Sequence, residues 1–145
     1  MQKSWTLRVA ADVQQLASIR EFVEARAGAL GVDPSAVYDL VLAANEIATN
    51  IVVHGYRGRP GAIEVEIQSA GDTVTIVLRD QSPPFDPTQA AAPDITVPLE
   101  RRRPGGMGIH LTRRLTDALL YRTTRGGGNE TTLIKRGVIA HSTEE

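Results

Sequence analysis

Two polar side chains stand out in the apolar segment LAANEIATNIVVHGY, residues 42–56: the carboxylate of Glu46 and the amide of Asn50. If this segment is a helix, their spacing of four residues places them side by side on one face. One interpretation is that this face is the solvent side of an amphipathic helix. The other is that the pair belongs to a polar site, because Leu42 and Val53 lie on the same side and make it less than fully hydrophilic.

A glycine cluster, Gly105, Gly106 and Gly108, precedes a second helical segment. Glycines at a helix N-terminus let backbone N–H groups approach an anion, and the helix dipole favours negative charge there. The cluster lacks the Lys and Ser/Thr of a P-loop, so a flexible hinge is the alternative.

The segment QSPPFDPTQAAAPDITVPLERRRP, residues 81–104, has no regular hydrophobic pattern. Structureless loops of this length are uncommon in compact domains and are usually functional or disordered. We predict that about residues 87–104 form a lid, with a floppy surface insertion as the alternative. The basic run from Arg101 to Arg103 is then either solvated or close enough to contact a phosphate.

Hydrophobic periodicity predicts the elements that must position these residues. The helix that carries Glu46 and Asn50 has Asp33 as its cap and Pro34 at its first position, and it closes on Gly55. Its predicted core face is Val37, Val41, Ala44, Ala48 and Ile51. Before it come a strand at 4–10 and a helix from Asp12 to Gly31; after it come hairpins at 62–80 and 119–136, with the third helix between them.

This order of elements predicts a fold class. A helix separates strands only twice, so the pattern does not indicate a regular array of parallel strands. It favours a two-layer α/β sandwich, with a mixed, mostly antiparallel sheet and helices on one face. Its length of 145 residues predicts a single domain, residues 1–145, with a polar C-terminal tail at about 138–145.

Composition excludes several classes of function. The net charge of −1 gives no overall field toward nucleic acid or a membrane, and no segment resembles a signal peptide or an apolar run of spanning length. The chain has no cysteine, which excludes disulfides and thiolate metal sites. His54, His110 and His141 have no metal-ligand spacing, so we expect no zinc. A cytoplasmic protein is the default expectation.

Four motifs in register carry a family resemblance: NEIATNIVVHGY, DQSPPFDP, GGMGIHLTRRLTD and GGGNETTLIKR. In this order and spacing they resemble the N, G1 and G2 boxes of the GHKL (Bergerat-fold) ATPases, and they look most like those of the bacterial anti-sigma-factor serine-protein kinases. The resemblance covers nearly the whole chain. It implies the Bergerat, or histidine-kinase-like ATPase, fold and binding of ATP with Mg²⁺.

The resemblance also implies roles for matching residues. Asn50 would supply an oxygen ligand to Mg²⁺, and Glu46 would be the general base in phosphoryl transfer. Asp80 would accept a hydrogen bond from the adenine amino group, with Thr132 in support. The other positions assigned to ATP are His54, for which a structural role at the helix C-terminus is the alternative, Ser82, Pro84, Gly105, Gly106, Met107 and Gly108; Arg20 matches a partner-contact position.

The chain departs from the family pattern at one of these positions. The family has Asp-x-Gly where this chain has Asp80-Gln81-Ser82. A glycine lets the backbone approach the nucleotide closely, whereas Ser82 adds a Cβ and a hydroxyl. We therefore expect an adenine pocket whose geometry differs from the family pattern at this residue.

The function implied is that of an ATP- and Mg²⁺-dependent serine-protein kinase acting as an anti-sigma factor. It would bind a sigma factor and phosphorylate a STAS-type antagonist protein. The family works as a homodimer, and the strand at 4–10 is the candidate edge, with Trp5 either at the interface or in its own core. One alternative is a non-catalytic nucleotide-binding module that sequesters a partner. Another is a detached histidine-kinase ATP domain, which the lack of a preceding phospho-accepting helical segment disfavours.

Overall fold

The computed structural model of the protein describes residues 3–86 and 106–140, and only the backbone of residues 106–108. A short 3₁₀ turn, Val13–Gln15, precedes the first helix, and a π-helical turn, Ile51–Tyr56, continues the second. The strands and helices are β1 Lys3–Ala10, α1 Leu16–Ala29, α2 Pro34–Asn50, β2 Ala62–Ala70, β3 Thr73–Asp80, α3 Gly106–Leu115, β4 Ala118–Thr123 and β5 Asn129–Lys135. The predicted lid and residues 141–145 of the predicted tail lie outside the described residues.

The five described strands form one sheet in the order β1-β2-β3-β5-β4. Every neighbouring pair is antiparallel. The register places Asp80, at the end of β3, between Ile63 of β2 and Asn129 of β5. The predicted α/β sandwich is confirmed, and the sheet brings together two chain segments that are far apart in the sequence.

Buried and partly buried residues alternate along the strands because one face of the sheet packs against the helices and the other does not. In β2, Ile63, Val65 and Ile67 are fully buried, while Glu64 and Glu66 between them are only partly buried. On this outer face, the guanidinium of Arg79 forms ion pairs with Glu64 and Glu66 at 3.1 and 3.0 Å. The core is therefore a single layer between the sheet and the helices.

The buried face of α2 differs from the predicted stripe. Val37 and Val41 are only half-buried, whereas Leu40 and Ile47 are among the fully buried side chains. The reason is that α2 packs on α1 and α3 as well as on β3 and β5, so burial extends around more of the helix than one stripe. Asn50 is included in that burial, at 6% exposure.

The helix from Pro34 to Tyr56 is long and apolar enough to cross a membrane by length and composition alone, with 23 residues and a stretch of mean hydropathy 1.4. Half of that stretch is buried inside the fold. A core helix satisfies the same two measures, and the packing of α2 between the sheet and two other helices is that of a core helix.

The first residues of the predicted tail are docked on the fold. Val138 is buried, and its carbonyl oxygen accepts a hydrogen bond of 2.9 Å from the backbone N–H of Asp33. Ile139 forms a β-bridge with Val32. Val138 and Ile139 therefore support the loop before α2.

Candidate functional site

The candidate site is a cleft between the C-terminal half of α2 with its π-helical turn and the adjoining ends of β3 and β5. It has a volume of about 270 Å³, including the part open to solvent. Three residues predicted for the site line it, namely Asn50, Asp80 and Ser82. The structure thus brings the first and second motifs, NEIATNIVVHGY and DQSPPFDP, together at one place.

The two carboxylate oxygens of Asp80 differ in their hydrogen bonds. Its Oδ1 accepts hydrogen bonds from the Ser82 backbone N–H at 2.9 Å, the Ser82 hydroxyl at 2.6 Å and Asn129 Nδ2 at 2.9 Å. Within residues 3–86 and 106–140, no group donates a hydrogen bond to Oδ2. Because Asp80 lines the cleft, Oδ2 is the acceptor available to an entering hydrogen-bond donor.

The amide oxygen of Asn129 is also hydrogen-bonded. Its Oδ1 accepts hydrogen bonds from the hydroxyl of Tyr121 and, at 3.3 Å, from the backbone N–H of Phe85. Two donors on Oδ1 require the amide orientation in which Nδ2 points to Asp80. Partial burial raises the pKa of the Tyr121 hydroxyl, and the charges of Asp86 and Asp80 raise it further, so this group stays a protonated donor at neutral pH.

Asn50 lines the same cleft, and no described residue forms a hydrogen bond with its amide nitrogen. A buried polar group left unsatisfied costs about 1–3 kcal/mol, so the arrangement is expected where a ligand completes it. Glu46 lies one turn earlier, is half-buried, and makes no hydrogen bond or ion pair with any described residue. The pair is therefore not a simple solvent-exposed helix face.

The π-helical turn after Asn50 shapes the wall of the cleft. π-Helical turns inside α-helices occur frequently at functional sites because they shift the following side chains around the axis. Gly55 of this turn lines the cleft, and His54 lies beside Phe85, with ring centroids 6.2 Å apart and planes at 30°. Arg57, in the left-handed conformation at φ 54°, ends the turn.

Tyr56, the last residue of that turn, ties the turn to the sheet. Its hydroxyl donates to the carbonyl oxygen of Ala62 at 2.8 Å and accepts from the backbone N–H of Gln81 at 2.8 Å. The side chain is 5% exposed. This contact fixes the segment after Asp80 relative to the end of α2, and hence the width of the cleft.

Thr132 is not brought to the cleft. It lies on β5 between Thr131 and Leu133, which are buried on the helix side, so the alternation of the strand places Thr132 on the outer face of the sheet. Thr131, 2% exposed, lines the cleft. The role expected for Thr132 at the adenine stays a prediction, and Thr131 is the threonine of β5 that the structure places at the cleft.

The remaining predicted residues lie around the cleft or outside the described part. Pro84 is exposed and does not line the cleft. Gly106, Met107 and Gly108 form the first turn of α3, which confirms the helix after the glycine cluster. Gly105 lies outside the described residues.

Arg20 is exposed on α1, and its Nη1 donates to Asn45 Oδ1 at 2.9 Å. Asn45 directly precedes Glu46 on α2. The predicted partner-contact residue is therefore joined to the helix that carries the candidate site.

The chain matches a known protein family along most of its length. The histidine kinase-like ATPase domain family matches residues 9–135, almost the whole chain. The chain belongs to this family. The expected GHKL-type fold and the family resemblance of the four motifs are confirmed.

Relatives within the family include named kinases and anti-sigma factors. The serine/threonine-protein kinase BtrW of Bordetella bronchiseptica is 36% identical over 97 residues, which cover 66% of this chain and 68% of the relative. The anti-sigma F factor of Thermoanaerobacter pseudethanolicus is 31% identical over 110 residues, covering 75% and 76%. The serine-protein kinase RsbW of Bacillus cereus strain Q1 is 27% identical over 115 residues, covering 77% and 72%.

A solved structure supports the fold independently. The chain superposes on the structure of the RsbU and RsbW domains of Rv1364c from Mycobacterium tuberculosis with a TM-score of 0.67 at 20% identity. The match covers 92% of this chain and 32% of that longer protein, so the chain corresponds to about a third of it. At this identity the similarity establishes the architecture of the family fold.

Two residues of the site were missed in the sequence, Asn129 and Thr131. Both are on the helix side of β5, as is the buried Leu133. Counting back from Leu133 in steps of two would have identified them. Their contact with Asp80 depends on the pairing of β5 with β3, which no local pattern specifies.

Proposed function

We propose that this protein is an ATP- and Mg²⁺-dependent serine-protein kinase of the anti-sigma type. It binds a sigma factor and transfers the γ-phosphoryl group of ATP to a Ser or Thr of a STAS-type antagonist protein. The named relatives are serine-protein kinases and an anti-sigma factor, which supports this class of activity.

One observation in the structure carries the proposal. Glu46 and Asn50 lie one helical turn apart beside the cleft, and within residues 3–86 and 106–140 neither the buried amide nitrogen of Asn50 nor the Glu46 carboxylate has a hydrogen-bond partner. A domain that only needed stability would not retain an uncompensated buried amide next to a free carboxylate.

The donor chemistry of the cleft fits a magnesium–nucleotide complex. Mg²⁺ is bound by hard oxygen ligands, usually one or two from the protein with phosphate and water for the rest, and the side-chain oxygen of Asn50 is such a ligand. When bound, the ion neutralises charge on the phosphates. At the other end of the cleft, Asp80 Oδ2 accepts a hydrogen bond from the adenine amino group.

Glu46 is assigned the proton transfer. The substrate hydroxyl oxygen forms a bond to the γ-phosphorus, the bond from that phosphorus to the oxygen bridging to the β-phosphate breaks, and ADP leaves. Glu46 accepts the proton of the attacking hydroxyl. Phosphoryl transfer depends mainly on positioning and charge neutralisation, so one base and one metal ligand beside a nucleotide pocket are sufficient protein groups.

The assignment extends to partners and location. Arg20, exposed on α1 and hydrogen-bonded to Asn45, is assigned to the partner surface because it lies next to the site helix. The chain works as a homodimer in the cytoplasm, binding neither nucleic acid nor a membrane directly. Gly105 to Gly108 hold the nucleotide phosphates, and the segment 87–104 closes over them.

The experiment that tests catalysis is the substitution Glu46→Gln. Glutamine keeps the size and polarity of the side chain but is not a base, and removing a general base typically costs about 10²–10⁴-fold in rate. With radiolabelled ATP and a candidate STAS-type antagonist, we expect transfer to fall by that order while calorimetric ATP affinity stays at the wild-type value.

The matched control is Glu64→Gln, which removes one carboxylate on the outer face of the sheet, away from the cleft. It should leave both transfer and ATP affinity unchanged. If wild-type protein binds Mg-ATP but transfers no phosphate to any antagonist, the protein is a non-catalytic nucleotide-binding module. If Glu46→Gln lowers affinity and transfer equally, Glu46 has a structural role.

A further inference from the structure

Ser82 is the residue at which this chain departs from its family, because it occupies the position of a family glycine. Its role rests on the proposed binding of ATP. Its side chain is 2% exposed and lines the cleft, so its hydroxyl is not at the surface. The hydroxyl donates to Asp80 Oδ1 at 2.6 Å, a short hydrogen bond of the kind that a charged acceptor makes.

Asn129 makes the matching contact from the neighbouring strand. Its Nδ2 donates to the same oxygen, Asp80 Oδ1, at 2.9 Å, and the residue is 3% exposed. The two side chains thus approach Asp80 from a loop and from a strand that are 47 residues apart in the sequence. With the Ser82 backbone N–H, the three donors fill the hydrogen-bonding capacity of Oδ1.

We propose that Ser82 and Asn129 are specificity-determining positioning residues: they orient the Asp80 carboxylate so that Oδ2 alone faces the cleft and accepts a hydrogen bond from a nucleobase amino group. An acceptor at this position favours a base with an exocyclic amine there, as adenine has. Guanine presents a carbonyl oxygen at the same position and leaves the acceptor unpaired. The added Ser82 hydroxyl therefore sharpens the adenine contact and does not obstruct it.

Donors from two residues are needed to fix the orientation of the Asp80 carboxylate. A carboxylate held by one donor can rotate and exchange its two oxygens, whereas donors from two directions fix the plane of the group. Asn129 is itself held by Tyr121 and by the backbone N–H of Phe85, so its amide cannot rotate freely. Pre-orientation reduces the cost of ordering Asp80 when the nucleotide binds.

The test compares two ligands that differ by one amino group, ATP and purine riboside triphosphate, which lacks the 6-amino group. Calorimetry with Mg²⁺ gives the ratio of their dissociation constants. A hydrogen bond to a charged group corresponds to roughly a tenfold or greater preference for ATP in the wild type. Ser82→Ala and Asn129→Ala should each lower this preference several-fold while leaving the affinity for the purine analogue near its wild-type value.

The control is Thr75→Ala, on the outer face of β3 between the buried Val74 and Ile76, which should leave the ratio unchanged. If Ser82→Ala and Asn129→Ala weaken both ligands equally, the two residues only shape the cleft and the inference is wrong, while ATP binding and the proposed function stand. If wild-type protein binds neither ligand, the proposed function fails as well. Ser82→Gly provides a second variant that carries the family residue and keeps the backbone donor.

Discussion

Asn50 is the residue at which binding and stability are expected to oppose each other. Its amide is buried, and its nitrogen has no partner in the part of the chain that the structure describes, so replacing it with a group of similar shape and no polar atoms removes an uncompensated desolvation cost. We expect Asn50→Leu to leave the nucleotide-free protein as stable as the wild type or more stable, by up to about 1–3 kcal/mol. The same change should abolish Mg-dependent ATP binding.

Thermal unfolding with and without Mg-ATP measures both effects in one series. The matched control is Asn129→Leu, which removes an amide that is fully hydrogen-bonded and should therefore lower stability. Equal destabilisation by the two substitutions would show that Asn50 is a structural residue. Retention of the ATP-dependent shift by Asn50→Leu would remove it from the metal site.

At the scale of elements, the π-helical turn and the end of β3 are fitted to each other through Gly55 and Ser82. A Cβ added at Gly55 would lie 2.6 Å from the Ser82 hydroxyl oxygen and 3.2 Å from its Cβ. Alanine is intrinsically better than glycine in a helix by about 1 kcal/mol, so only this contact opposes the substitution. Gly55 leaves room for the side chain of Ser82, which stands where the family has a glycine.

We therefore expect Gly55→Ala to destabilise the protein by about 1–3 kcal/mol, the usual cost of overpacking. In a Ser82→Gly background the same Gly55→Ala change should be neutral or stabilising, because the opposing side chain is gone. Chemical denaturation of the two single variants and the double variant measures the coupling. Additive effects would show that the two residues do not compete for the same space.

At the scale of the whole molecule, β1 is an edge strand with one side of its backbone unpaired in the described sheet. An unpaired edge can pair with another chain, which agrees with the expected homodimer. Trp5 lies on this strand and is half-buried. Its ring packs against the core and under the guanidinium of Arg26, 5.1 Å away, which favours the alternative that places it in its own core.

Sedimentation equilibrium over a range of concentrations with Mg-ATP is expected to give the mass of two chains. Trp5→Ser should lower the free energy of unfolding, since it removes an aromatic ring from the core, and leave the association constant of the dimer unchanged. A mass of one chain at every concentration would rule out the dimer. A dimer lost with no change in thermal stability of the monomer would return Trp5 to the interface.

The sequence by itself determined the elements, because strand alternation, helix periodicity and capping are local properties of the chain. It placed Glu46 next to Asn50, since side chains four residues apart are neighbours on one face of a helix. It also placed Asp80 at a strand end and a helix after Gly105, and the four motifs in register identified the family before any geometry was available.

Only the tertiary structure decided which face of α2 is buried, because that depends on packing against α1, α3 and the sheet at once. That Thr131 lines the cleft while Thr132 lies on the outer face follows from the orientation of β5, since shifting a strand by one residue exchanges its faces. The contact of Asn129 with Asp80 joins residues 49 positions apart. Such a contact follows from the pairing of β3 with β5, and local sequence carries no information about that pairing.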